Sequence, residues 1–122
     1  MTNVGKFAYD TLIGSTVLTA LVPATQIYSS RPEVITTFPG VYFSDEQSDN
    51  EFVDNLPVAD SALITIDIYI RDDSPYDISK IVCDLMKGLF WACMTNIDAP
   101  DPDTAVRHRH LVFGKMLFQG DI

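Results

Sequence analysis

Two histidines spaced two positions apart are the residues of this 122-residue sequence that most directly suggest chemistry. His108 and His110 fall in a predicted strand, in which alternate side chains point to the same face of a sheet. Two imidazoles on one face bind a metal ion when a carboxylate completes the set, and residues 45–60 and 98–103 offer acids. Because every H-x-H strand has this spacing, an ordinary surface or interface face is the favoured interpretation, and we predict no metal site.

The most acidic segment, residues 45–60, contains six of the 17 acidic residues and neither lysine nor arginine. It lacks the D-x-D-x-D-G spacing and the closing glutamate of a calcium loop, so no calcium site is predicted. Its asparagines, serines and Pro57 favour a long hairpin loop that is exposed to solvent. The acids that we expect at its surface are Asp45, Glu46, Asp49, Glu51 and Asp54.

Motifs for nucleophilic catalysis or phosphate binding do not occur: the sequence has no G-x-S-x-G, no glycine-rich phosphate loop and no C-x-x-C. Cys83 and Cys93 fall in one predicted helix, where their separation corresponds to roughly 15 Å, too far for a disulfide. We therefore expect two free, buried thiols, no enzymatic activity and no cofactor.

The elements that position these residues follow from hydrophobic periodicity and from helix-breaking residues. Apolar residues at helical spacing predict a helix over residues 4–22, weakened at Gly14 and ended by Pro23. Aromatic and β-branched residues predict short strands at 26–28 and 41–44. A longer strand is predicted over 62–71, because four isoleucines alternate there with other residues. The isoleucines form a buried face, and the opposite face is expected to contact solvent or a partner.

The second half of the chain completes an α+β fold. Ser74 as the cap and Pro75 at the first helical position predict the start of a helix that runs from Asp77 to about Met94. A final strand is predicted over 104–118. The order is helix, strand, strand, long loop, strand, helix, strand, which describes a single domain over residues 1–122. We expect a small antiparallel sheet with two main helices packed against it.

A net charge of −9, from eight basic and 17 acidic residues, limits the classes of partner. An acidic surface repels phosphate groups, so we expect neither sequence-specific nucleic-acid binding nor membrane binding. The apolar stretches are too short for a transmembrane helix, and the N-terminus lacks the layout of a signal peptide. We therefore expect a protein that is made in the cytoplasm.

The basic residues are concentrated at positions 107–110, which contain two of the four arginines. A basic strand on one subunit can contact the acidic loop of its neighbour in a closed head-to-tail ring. A strand that is simply exposed to water is the alternative. The residues that we expect at a subunit interface are Asp67, Tyr69, Arg71, Arg107 and Arg109.

Two segments of the sequence resemble segments of small tail-completion proteins from long-tailed phages or prophages of Gram-positive bacteria. One is LTALV at 18–22 followed by QIY at 26–28, and the other is FPGVYFS at 38–44. The polar loop, the strand at 64–70, the helix at 77–94 and the last strand continue the resemblance. It covers roughly residues 11–117.

The resemblance implies a structural virion protein with an antiparallel sheet flanked by helices and no catalytic residues. Proteins of this family form a hexameric ring at the head-proximal end of the tail, where they stop growth of the tail tube. The implied partners are further copies of the chain, the tail tube protein, and the head connector or a head-completion protein. We further expect the acidic loop to face the channel of the ring, where DNA must pass without binding.

Three other functions remain open at this point. The chain is alternatively another head–tail adaptor or a minor tail morphogenesis protein. It is alternatively a small binding or regulatory module unrelated to phages. A metalloenzyme built on His108, His110 and nearby acids is the remaining alternative.

Overall fold

The computed structural model describes residues 4–28, 38–53, 56–71, 76–99, 101–102 and 105–118. The elements form an α+β fold, which confirms the predicted fold class. The helices are α1 (Val4–Gly14), α2 (Thr16–Thr19) and α3 (Tyr76–Gly88), with a 3₁₀ turn at Ala24–Gln26. The strands are β1 (Ile27–Tyr28), β2 (Gly40–Val53), β3 (Leu56–Arg71), β4 (Ala92–Ala99) and β5 (Val106–Phe118). Among the described residues, no helix has the length and apolar character needed to cross a membrane.

The five strands form one mixed sheet in the order β1-β2-β3-β5-β4. The pairs β2–β3, β3–β5 and β4–β5 are antiparallel. β1 instead pairs in parallel with β2, with Ile27 opposite Val41 and Tyr28 opposite Tyr42. Three of the four strand pairs are thus antiparallel as predicted, and the parallel pair β1–β2 makes the sheet mixed.

The hydrophobic core lies on the face of the sheet that carries the isoleucines of β3. Ile64, Ile66 and Ile68 are 0% exposed and Ile70 is 3% exposed, which confirms the buried face that the alternation predicts. On β5, the residues paired with Ile64 and Ile66 are Phe113 and Leu111, and both are buried. The helical residues buried in the same core include Ala8, Leu12, Leu18, Val82 and Met86. Helix packing against one sheet face thus excludes water from it.

The predicted N-terminal helix is broken next to Gly14, where the glycine weakened the pattern. Ser15 has an extended backbone (φ −78°, ψ 118°), and its Oγ accepts a hydrogen bond from the N–H of Leu18 at 3.2 Å. Ser15 is therefore the N-cap of α2. The Tyr9 hydroxyl donates to the carbonyl of Ile27 at 2.9 Å and thereby joins α1 to β1.

The segment 45–60 is not the predicted loop. Its residues 45–53 belong to β2 and 56–60 to β3, whereas 54–55 lie outside the described residues. Pairing continues from Asp45 opposite Ile64 to Val53 opposite Leu56, with register shifts near Glu51. The prediction from polar composition was wrong because a continuous backbone ladder outweighs side-chain propensity for the loop. We call residues 45–60 the acidic hairpin.

Helix α3 ends at Gly88, six residues before the predicted end at Met94, and the predicted cap at Ser74 lies outside the described residues. The N–H of Phe90 donates to the carbonyl of Lys87 at 2.9 Å, and that of Trp91 donates to the carbonyl of Met86 at 3.0 Å. With a φ of 67° at Phe90, these bonds form a Schellman cap. The apolar stripe continues into this cap, so periodicity alone did not reveal the helix end or strand β4.

The two cysteines lie on different elements, which corrects the predicted separation of roughly 15 Å within one helix. Cys83 is buried on α3, and Cys93 is exposed on β4. Both thiols are free, as expected, although only Cys83 is buried. Burial, together with a hydrogen bond and charge interaction with the Cys93 thiol, raises the pKa of Cys83 to about 11. The early end of α3 therefore brings the two thiols together.

Candidate functional site

A cluster of three titratable side chains lies on the sheet face opposite the isoleucines. Asp67 of β3 is directly opposite His110 of β5, and His108 is opposite the next residue on that face, Tyr69. Antiparallel pairing brings such opposite side chains within contact distance. We call Asp67, His108 and His110 the His–Asp–His cluster.

Both imidazoles of the cluster contact the same carboxylate oxygen. His108 Nε2 and His110 Nδ1 each lie 2.7 Å from Asp67 Oδ1. An ionised carboxylate can only accept hydrogen bonds, so both of these ring nitrogens must carry protons in this arrangement. With the carboxylate ionised, the donor of His108 is therefore Nε2 and that of His110 is Nδ1.

The environment of Asp67 favours its ionised form. Asp67 is 7% exposed, and burial by itself raises the pKa of a carboxyl group. The hydrogen bonds from His108 and His110, with the charges of the two rings, outweigh this effect and lower the pKa of Asp67 below its ordinary value. The carboxylate is thus kept charged in the interior of the sheet by its two histidine partners.

A row of aromatic rings supports the cluster from one side. The Tyr69 ring stacks on His108, with centroids 4.1 Å apart and planes 15° from parallel. The edge of Tyr42 meets Tyr69 at 5.6 Å, and Tyr28 stacks on Tyr42 at 5.0 Å. The row crosses β1, β2, β3 and β5, so the orientation of the His108 ring depends on contacts that extend across the sheet.

The predicted interface residues on β3 have different surroundings. Asp67 and Tyr69 are 7% and 0% exposed, so the expected open face is wrong for these two residues. Their burial follows from the aromatic row and from the histidines across the strand pair. Arg71 is exposed, and its guanidinium lies 4.6 Å from the centroid of the Phe38 ring. A contact of Arg71 with a second subunit stays a prediction.

The two arginines of β5 also differ. Arg109 donates to the Asn96 side-chain oxygen at 2.6 Å, to the Asn96 carbonyl at 3.3 Å and to Asp98 Oδ1 at 3.0 Å. Arg109 therefore binds β4 within its own chain. This contact was missed because residues 92–94 were assigned to a helix and 96–103 to a loop. Arg107 is exposed on the same strand.

The acidic residues expected to face a channel lie on the acidic hairpin as far as the structure describes it. Asp45, Glu46, Asp49 and Glu51 belong to β2, and Asp54 lies outside the described residues. Their placement on a strand does not test the expected position in a channel, which stays a prediction.

The described residues that could hold a metal ion are those of the His–Asp–His cluster, whose ligand atoms all lie within 4.8 Å of one another. The spacing along the sequence identified the two histidines. The carboxylate was expected to come from residues 45–60 or 98–103. The third residue is Asp67, an isolated acid in the middle of a buried strand. A charged residue within an apolar alternation is the signal that could have identified it, because such residues are buried only with a partner.

Comparison with solved structures gives a likeness of fold. No family model and no curated protein matches the sequence. Among solved structures, a chain from the structure titled "Virion of native gene transfer agent (GTA) particle" is similar, with a TM-score of 0.58 and 17% sequence identity. The match covers 91% of this chain and 91% of that chain. The two chains therefore share a fold over nearly their whole lengths.

Proposed function

We propose that this protein is a structural component of a phage-like virion. The observation that carries the proposal is the shared fold with a chain of a gene transfer agent virion, over 91% of both chains. Coverage of this extent is what a common role for the whole chain predicts, because the part of each chain outside the match is too short for a separate domain. The resemblance of residues 18–28 and 38–44 to tail-completion proteins supports the same class of protein.

The more specific role that we propose is closure of the tail. In this role the protein caps the head-proximal end of the tail tube as a ring, which we expect to be a hexamer, and joins the tail to the head connector. The proposed contacts are further copies of the chain, the tail tube protein, and the connector or a head-completion protein. A head–tail adaptor or a minor tail component is the alternative role within the same virion.

Charge complementarity supports a head-to-tail ring. Arg107 is exposed on β5, and the acidic hairpin carries the densest negative charge of the chain. A contact between the basic strand of one subunit and the acidic hairpin of the next would join two different surfaces, as ring closure requires. Arg109 contributes less in this proposal, because Asn96 and Asp98 already bind its guanidinium.

The acidic residues of the hairpin have a second proposed role. A channel lined by carboxylates repels the DNA backbone, so DNA passes without binding. Replacement of Asp45, Glu46, Asp49 and Glu51 by the corresponding amides is then expected to slow DNA delivery by assembled particles. Unchanged delivery by this variant would remove the channel role, and it would also contradict the acids of the hairpin as the partners of Arg107 in ring closure.

The test of the ring proposal combines sedimentation velocity with binding to purified tail tubes. We expect Arg107→Glu to weaken self-association or tube capping by at least about tenfold, because it places like charges at the contact. Lys80→Glu is the matched control: Lys80 is exposed on α3, and its replacement changes the net charge by the same amount. Circular dichroism checks that both variants fold.

Three outcomes separate the proposed roles. A species of about six times the 13.6 kDa chain mass that caps tubes supports the ring. A protein that binds connectors but not tubes supports the adaptor role. A protein that binds neither tubes nor connectors, whether as a monomer or as an assembly, contradicts the virion proposal. Equal effects of Arg107→Glu and Lys80→Glu contradict Arg107 as an interface residue.

A further inference from the structure

We propose that the His–Asp–His cluster is a binding site for one divalent transition-metal ion, with Zn²⁺ as the representative ion. The ion would join β3 to β5 through Asp67, His108 and His110. This inference is independent of the virion role, because it rests on the geometry of one subunit.

The donor set selects the class of ion. Two imidazole nitrogens and one carboxylate oxygen suit Zn²⁺, Co²⁺, Ni²⁺ and Fe²⁺, whereas Ca²⁺ and Mg²⁺ prefer sets made of oxygen. Three protein ligands leave at least one coordination position open for water. The sequence contains only these two histidines, so both imidazole rings of the chain contact one carboxylate.

The distances between the ligand atoms are close to those around a metal ion. Each ring nitrogen lies 2.7 Å from Asp67 Oδ1, and the three ligand atoms lie within 4.8 Å of one another. Tetrahedral bonds of about 2.0–2.2 Å to Zn²⁺ place ligand atoms roughly 3.3–3.6 Å apart, so each nitrogen moves away from the oxygen by roughly 0.6–0.9 Å and the two nitrogens move toward each other. Rotation of the side chains supplies such movements without a change in the strands.

Binding exchanges two hydrogen bonds for three bonds to metal. In the structure both nitrogens that face Asp67 act as donors. To bind the ion, each ring gives up the proton of that nitrogen to solvent, presents the lone pair to the metal and, as a neutral imidazole, carries a proton on its other nitrogen. Asp67 binds the ion as a carboxylate.

Burial and access both fit a metal site. The side chains of Asp67 and His108 are 11% and 10% exposed, and Tyr69 stacks on His108, so two ligands are held in place. The side chain of His110 is 33% exposed, which gives the ion and its water a path from solvent. Rigid support of the ligands on one side and an open position on the other is the arrangement that metal sites use.

The experiment uses the full chain without an affinity tag, since a histidine tag binds the same ions. The protein is treated with a chelator, dialysed and titrated with Zn²⁺ against a chromogenic competitor. We expect one equivalent to bind with micromolar or tighter affinity. A parallel titration with Co²⁺ is expected to show visible absorption bands of cobalt with nitrogen ligands.

Variants assign the binding to the cluster. His110→Ala and Asp67→Asn are each expected to reduce Zn²⁺ affinity at least tenfold and to abolish the cobalt bands. Asp84→Asn is the matched control, because Asp84 is an exposed acid on α3, away from the cluster. The Zn²⁺ affinity of this variant should equal that of the parent protein. If Asp67→Asn does not fold, His110→Ala still tests the proposal, since His110 is the most exposed member.

Two results would overturn the inference. The first is the absence of stoichiometric Zn²⁺ and Co²⁺ binding by the parent protein, which would leave the cluster as a hydrogen-bonded pair of histidines on a carboxylate. The second is binding that His110→Ala and Asp67→Asn do not weaken, which would place the ion elsewhere. Neither result bears on the virion proposal, which is tested by association and tube capping.

Discussion

At the scale of single residues, Phe90 combines two unfavourable properties. Its φ of 67° is a left-handed conformation that costs an L-residue with a Cβ atom roughly 1–2 kcal/mol. Its side chain is 85% exposed, so packing within the chain does not offset this cost. Glycine is the usual residue at this position of a Schellman cap. The backbone conformation is imposed by the cap and by the start of β4 directly after it.

Phe90→Gly is therefore expected to raise the free energy of unfolding by about 1 kcal/mol, because glycine adopts positive φ without steric cost. Urea denaturation followed by circular dichroism measures the change. Phe90→Ala removes the same aromatic ring and keeps Cβ, so this control should show no comparable gain. An equal gain in both variants would attribute the effect to the exposed ring instead of the backbone.

Asp67 illustrates why the site was only half predictable at the scale of residues. The H-x-H spacing of His108 and His110 implies a shared face, and the structure confirms that both rings point to one side. The identity of the carboxylate depends on which residue of β3 lies opposite His110. That register is set by long-range strand pairing, and one sequence does not encode it in any local pattern.

At the scale of elements, the break between α1 and α2 depends on Ser15. Its Oγ accepts from the N–H of Leu18, and its carbonyl accepts from the Thr19 hydroxyl at 2.8 Å. The cap thereby sets the direction in which α2 leaves α1 and presents the buried Leu18 to the core.

Ser15→Ala is expected to lower the free energy of unfolding by about 1 kcal/mol, since a helix N-terminal N–H loses its side-chain partner. Thermal and urea denaturation both report this loss. Ser15→Asp is the control that keeps a capping oxygen and should retain most of the stability. A loss of the same size in Ser15→Asp would mean that the hydroxyl contributes through a contact other than the cap.

The elements that were predicted correctly are those that hydrophobic periodicity determines. The isoleucine alternation of β3 and the apolar stripe of α3 each specify a buried face, whatever the partner element is. Strand β4 was missed because six of its eight residues are exposed and none is buried, so its sequence shows no alternation; its pairing with β5 defines it. The acidic hairpin was missed because its polar composition is typical of a loop, whereas pairing between its two strands defines it.

At the scale of the whole molecule, net charge opposes assembly. Each subunit carries −9, and like charges at a distance repel more strongly in dilute salt. Contacts between opposite charges at an interface are shorter than a Debye length of about 10 Å in 0.1 M salt, so salt screens them less than it screens the repulsion between distant charges. Salt should therefore reduce repulsion more than it reduces attraction.

Self-association is accordingly expected to strengthen when sodium chloride is raised from about 0.02 M to about 0.3 M. Sedimentation velocity over a range of protein concentrations measures the association constant at each salt. Sodium sulfate is excluded from the comparison, because it also strengthens apolar burial. Weaker association in higher salt would mean that attraction between opposite charges, and not the net charge, governs the balance.

The length of the acidic hairpin is independent of the packing of the core. Side chains alternate along its strands with a period of two, so adding two residues to each strand lengthens it by about 7 Å and leaves every existing side chain on its face. The core residues of β3 lie at 62–70, away from the end of the hairpin where Val53 is opposite Leu56. Insertion of two residues into each strand at that end is therefore expected to extend the hairpin in steps of about 7 Å and to leave the core as it is.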